Sequence, residues 1–102
     1  MYRASDRIEH DEWLGEIEAA AETLDLGTDA RSHAVDLFLS TLPDEDRSKR
    51  ASMAASLYVG ALVAGEERSQ SAVADATDVS RLTIQKRWKD LIESVGFDAP
   101  DW

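Results

Sequence analysis

The chain has 102 residues, no cysteine and a formal net charge of −10, with 21 acidic residues against 11 basic ones. That length supplies one core and not two, and the missing cysteine excludes disulfides, iron–sulfur clusters and thiolate zinc sites. No apolar run approaches the roughly 18 residues of a membrane span, and residues 1–6 lack a signal-peptide core, so a soluble, cytoplasmic protein without a membrane partner is expected.

Residues 1–7 read as a flexible N-terminus. From Ile8 to Leu24 the residues Ile8, Trp13, Leu14, Ile17, Ala20, Ala21 and Leu24 form one apolar stripe, with Glu9, Glu12, Glu16, Glu18 and Glu22 outside it. Gly15 within this helix reads as a point of close approach, and Gly27 as the left-handed residue that ends it. A second helix runs from Thr28 to Leu42, with Ala30, Ala34, Val35, Phe38, Leu39 and Leu42 facing inward, and Pro43 stops it. After the charged loop 43–47, Ser48 is placed to cap a third helix that reaches Gly65. That helix is apolar almost all round (Ala51, Ala54, Ala55, Leu57, Tyr58, Ala61, Leu62, Val63), the pattern of a central helix enclosed by the others. Glu66, Glu67 and Arg68 link it to the next segment.

Residues 69–95 predict a short helix, a tight turn and a longer helix, the helix-turn-helix plan. Ser69 caps the first of these, whose inward positions are Val73, Ala74 and Thr77. Ala74 is small where the two helices meet, and Asp78 stands where the turn requires a positive φ. Val79 fills the elbow and Ser80 caps the longer helix. Ile84, Trp88, Leu91, Ile92 and Val95 form its inward stripe, leaving Arg81, Leu82, Gln85, Lys86 and Lys89 outside. Gly96 ends it, and residues 96–102 form a tail whose Trp102 is expected to dock on the domain. No segment alternates as a strand does, so the fold class is all-α with five helices.

Charge is distributed unevenly. Residues 1–46 carry 13 acids and 3 bases, whereas residues 47–102 carry 8 of each. Within 80–95, Arg81, Lys86, Arg87 and Lys89 outnumber Asp90 and Glu93. Lysines and arginines often sit near helix C-termini because the dipole favours them there, but Arg81 falls in the first turn, where it is disfavoured. Catalytic patterns are missing: there is no glycine-rich phosphate loop, Gly-x-Ser-x-Gly elbow or nucleophile–base pair. The carboxylates beside His10 fan around a helix and do not converge on a metal, and His33 has Leu37 at i+4. An enzyme, a cofactor and a metal site are therefore not expected. Trp13 and Trp88 lie on apolar stripes and read as core.

Residues 48–92 resemble one cyclin-box repeat. The resemblance rests on Ser48-x-x-x-Ala-x-x-Ala-Ala-Ser-Leu-Tyr58, Ala64-Gly-Glu, Ser69-Gln-x-x-Val-Ala74, Val79-Ser-x-x-Thr-Ile84 and Arg87-Trp-Lys-x-Leu91. They are most similar to the C-terminal repeat of archaeal transcription factor B, the relative of general factor IIB, and the similarity extends loosely back to about residue 8. Lys49, Asp78 and Trp88 stand where that family usually has proline, glycine and tyrosine. The family's zinc ribbon, linker and first repeat have no counterpart among the 102 residues. The many acids and only three lysines also resemble the composition of proteins from salt-in haloarchaea.

The resemblance implies a cyclin-like five-helix domain over residues 8–95, with the helix-turn-helix at 69–95. It also implies major-groove contact with double-stranded promoter DNA through Ser80, Arg81, Leu82, Gln85 and Lys86. By their chemistry Gln85 suits adenine, Arg81 guanine and Leu82 a thymine methyl. Thr83, Lys89 and Gln70, the last at a helix N-terminus, suit phosphates. TATA-binding protein or another part of the transcription machinery is the implied protein partner. The alternative is a protein-interaction or homodimerisation module that reads no bases.

Overall fold

The computed structural model describes residues 11–41 and 46–94 of the chain. The expectations for Ile8, Leu42, Pro43, Val95, Gly96, Trp102 and the segment 1–7 lie outside those residues. Five helices and no strand occur among the described residues: α1 (Asp11–Thr23), α2 (Thr28–Ser40), α3 (Asp46–Val63), α4 (Gln70–Thr77) and α5 (Arg81–Ser94). None of the five is long and apolar enough to cross a membrane.

The central position of α3 follows from its composition. Every residue from Ala51 to Ala61 is buried, because small alanines let neighbouring helices approach from several sides while Met53, Leu57 and Val59 fill the space between them. The other helices contribute inward stripes: Ile17, Ala20, Ala21 and Leu24 near and after α1; Ala30, Ala34, Leu37, Phe38 and Leu39 from α2; Val73 and Thr77 from α4; Ile84, Trp88, Leu91 and Ile92 from α5. At the far end of α3 the stripe gives out, and Val63 is 44 % exposed.

Close packing of α2 on α3 depends on Gly60. A Cβ there would lie 2.9 Å from both the Ala30 carbonyl oxygen and the Ala34 nitrogen, so the backbones meet directly. Gly15, expected to serve such an approach, faces open space instead. The left-handed residue after α1 is Asp25 (φ 56°), not Gly27. Aspartate tolerates this conformation, and it sends Leu26 back into the core, with the Leu26 N–H donating to the Ala21 carbonyl at 2.9 Å. Gly27 is extended (φ −79°, ψ −179°) and precedes α2. Its N–H donates to Glu66 Oε1 at 2.9 Å. The third helix also begins at Asp46, two residues before the expected cap at Ser48.

Arg68 ties two ends of the fold together. Its guanidinium donates to the Leu24 carbonyl at 2.8 Å, the Asp25 carbonyl at 3.0 Å and the Glu66 carbonyl at 2.9 Å. These carbonyls belong to the connection after α1 and to the one after α3, so one cation fastens both helix exits.

Candidate nucleic-acid interface

The α4–α5 pair is set by local chemistry. Ser69 Oγ accepts the Ala72 N–H at 3.0 Å and caps α4. Asp78 adopts the left-handed conformation (φ 59°, ψ 35°), and the Val79 N–H returns to the Ala74 carbonyl at 3.3 Å. Ser80 Oγ then accepts the Thr83 N–H at 3.2 Å and lies 2.8 Å from Thr83 Oγ1, capping α5. The buried stripe of α5 fixes its rotation, so Arg81, Leu82, Gln85, Lys86, Arg87 and Lys89 are exposed. Leu82 is 62 % exposed, an apolar side chain presented to solvent on a polar face.

A brace from α3 holds the turn. Arg50 donates to the Thr77 carbonyl at 3.2 Å and to Glu16 Oε1 at 3.0 Å, and its guanidinium carbon lies 5.4 Å from the centre of the Trp13 ring. Trp13 is half-buried and packs at a tilt against Phe38, with ring centres 6.4 Å apart. α1 therefore fixes the elbow of the pair through α3.

The expected DNA-contacting residues separate into distinct places. Gln70, Arg81, Leu82 and Gln85 come together in a groove of about 410 Å³ between the start of α4 and the first turns of α5, with Ser69, Ser71 and Tyr58 completing its lining. Ser80 and Thr83 instead line a groove of about 760 Å³ on the other side of the turn, among Trp13, Arg50, Glu12 and Glu16. Lys86 lines a third groove of about 380 Å³ with Thr41, Ser52 and Asp90. Lys89 holds its ammonium 5.5 Å from the centre of the Trp88 ring. Thr83 is half-buried and engaged with Ser80, so its hydroxyl is part of the cap.

Charge separates these grooves as clearly as position does. The groove holding Arg81 and Gln85 has no carboxylate in its lining, whereas the second contains Glu12, Glu16 and Asp78 and the third contains Asp90. Sequence pattern did not single out two residues that matter here. Tyr58 reads as one more member of an apolar helix, and its only hint is a hydroxyl among alanines. Arg50 gives no signal at all, because its partners lie 27 and 34 residues away in the chain.

Four helices around the central α3, with a capped pair at the C-terminal side of the described residues, define a cyclin-like all-α domain. The match to known proteins is narrower: the transcription factor TFIIB repeat family profile covers residues 14–94, and the chain belongs to that family. That family comprises transcription factors, not enzymes. The chain is 30 % identical over 83 residues to the transcription initiation factor IIB of Pyrococcus abyssi, covering 78 % of this chain and 28 % of that protein. Transcription initiation factor IIB 1 of Thermococcus kodakarensis is 29 % identical over the same share of each chain. The factor IIB of Archaeoglobus fulgidus is 42 % identical over 45 residues, 44 % of this chain and 14 % of that one. The chain thus spans less than a third of the length of these relatives.

Proposed function

We propose that this protein is a DNA-binding factor of the transcription factor B type that takes part in promoter recognition, with α4–α5 acting as a helix-turn-helix and α5 lying in the major groove. The observation that carries this reading is the exposed face of α5. On a chain of net charge −10, that face presents Arg81, Gln85, Lys86 and Lys89 together with the apolar Leu82. Arginine and glutamine make paired hydrogen bonds to guanine and adenine edges, and a leucine side chain packs on a thymine methyl. Gln70 and Lys89 are placed to take phosphates at either side.

The acidic α1 and α2 surfaces oppose a duplex in dilute salt. In molar salt the Debye length falls to about 3 Å, and both that repulsion and the counterion-release contribution fade. Recognition then rests on short-range contacts, strengthened by a protein already on the DNA such as TATA-binding protein. The composition agrees with a halophilic setting of that kind. Fluorescence anisotropy on a promoter duplex in about 2 M potassium chloride, with and without TATA-binding protein, tests the reading. Sequence-dependent binding that Gln85→Ala abolishes is the expected result. A folded protein that binds no duplex under either condition would replace this reading with that of a protein-docking module.

A further inference from the structure

Arg81, Leu82 and Gln85 are exposed on α5, so where their side chains end depends on how the helix itself is placed. The buried stripe of α5 fixes its rotation, but the side of the turn that faces α1 is not filled by packing. A groove of about 760 Å³ opens there between Glu12, Trp13 and Glu16 of α1 and Asp78, Val79 and Ser80 of the turn. Arg50 lines the same groove and spans it. One nitrogen of its guanidinium, Nη1, donates to the Thr77 carbonyl at 3.2 Å, and the other, Nη2, donates to both Glu16 oxygens at 3.0 and 3.3 Å. A planar fork can hold two such acceptors at once, and its carbon lies 5.4 Å from the centre of the Trp13 ring. Thr77 is the last residue of α4, so its carbonyl has no donor within the helix, and the dipole favours a cation there. Thr77 is itself buried, with its hydroxyl donated to the Val73 carbonyl at 2.7 Å. The left-handed Asp78 follows at once, and α5 begins at Arg81. Arg50 therefore grips the chain at its last helical residue before the turn into α5.

We infer that Arg50 is a positioning residue for sequence reading: it fixes the angle at which α5 leaves the turn, and so sets discrimination between bases without touching DNA. The inference rests on the promoter reading and deepens it. Paired hydrogen bonds to a base edge need their donors held within about 0.5 Å and 10–20°. Phosphate contacts carry no sequence information, and the long cationic side chains that make them follow a small shift of the helix. Loss of the brace therefore costs preference between sequences more than it costs affinity.

Three variants test this in the full chain. Arg50→Ala removes the fork, Arg50→Lys keeps the charge but not the planar pair of donors, and Glu16→Gln loosens the fork from its far side. One arm measures residual dipolar couplings of the free protein by nuclear magnetic resonance, which report the orientation of α5 relative to α3. The other measures affinity for a promoter duplex and for a shuffled duplex by fluorescence anisotropy. In Arg50→Ala, α5 is expected to turn relative to α3 by about 10° or more. The preference for the promoter duplex should fall by roughly 5-fold or more, while affinity for the shuffled duplex changes by less than about 2-fold. Arg50→Lys should show most of that loss, and Glu16→Gln a smaller one in the same direction. A merely stabilising residue would weaken both duplexes in proportion to the unfolded fraction and leave preference and orientation as they are, and that result overturns the inference. Full preference in Arg50→Lys also overturns it, because charge alone then suffices. An α5 that turns in Arg50→Ala while preference stays intact removes the positioning role and leaves the promoter reading standing. Wild type with no preference between the duplexes removes both.

Discussion

The α2–α3 pair and the α4–α5 pair share one core but are fastened to it differently. The first meets backbone to backbone at Gly60, and its flanking connections are strapped together by Arg68 and by the Gly27–Glu66 hydrogen bond. The second is seated by the side chains Val73, Ile84, Trp88, Leu91 and Ile92, and its elbow is tied down by the solvent-facing Arg50. One pair is built so that little can shift. The other presents its outer face while resting on a stripe and a brace. An architecture of this kind separates a rigidly fastened pair from a presented one, and variants should respond according to which half they touch.

The largest expected effect is on the scaffold. Gly60→Val would place methyl groups where the α2 backbone already stands, 2.9 Å from a single added Cβ. Overpacking against backbone should destabilise the domain by about 3 kcal/mol or more, read as a lowered urea midpoint. A loss below about 1 kcal/mol would mean that α2 slides freely on α3 and the contrast between the pairs is unfounded. Next, Arg68→Ala removes the donors for carbonyls at both helix exits. About 2 kcal/mol is expected, with faster hydrogen exchange at the Leu26 and Glu66 amides and no change at Ile84. Equal acceleration at Ile84 would show that the two halves open together.

The brace should matter less. Arg50 and Glu16 are 39 % and 38 % exposed, so solvent screens their attraction, and the carbonyl bond and ring contact add modestly. Arg50→Ala is expected to cost about 1 kcal/mol, confined to faster exchange at Val79 and Ile84 in and after the turn. Spread of that change into α2 would blur the division.

Much of this plan is legible along the chain, and what is not has a common cause. Helical periodicity places Ile17, Phe38, Val73, Ile84 and Ile92 inward because burial follows local spacing. Ser69, Asp78 and Ser80 are readable because caps and a left-handed turn are satisfied within a few residues. Whatever depends on a distant neighbour escapes such reading. Periodicity puts Tyr58 in a core helix, yet only the position of α4 and α5 brings it into the lining of a groove. Arg68 reads as linker until the exit of α1 is brought beside it. The exposed face of α5 follows from the sequence, but its division among grooves, with Thr83 absorbed into a cap and Gln70 joined to Arg81 and Gln85, does not.

The two helical glycines show the same limit with opposite signs. Composition and propensity treat Gly15 and Gly60 alike, since each weakens a helix by about 1 kcal/mol relative to alanine. At Gly60 the neighbouring backbone overrides propensity. At Gly15 nothing lies within 4 Å of the added Cβ, so only the helix term and the reduced freedom of the unfolded chain remain. Gly15→Ala should therefore raise stability, by roughly 0.5–1 kcal/mol, seen as a small rise in the denaturation midpoint at unchanged slope. The same measurement on Gly60→Ala should move the midpoint the other way. If Gly15→Ala also lowered it, α1 would be packed against something on its outer side, and its glutamate-rich face would belong to an interface instead of to solvent.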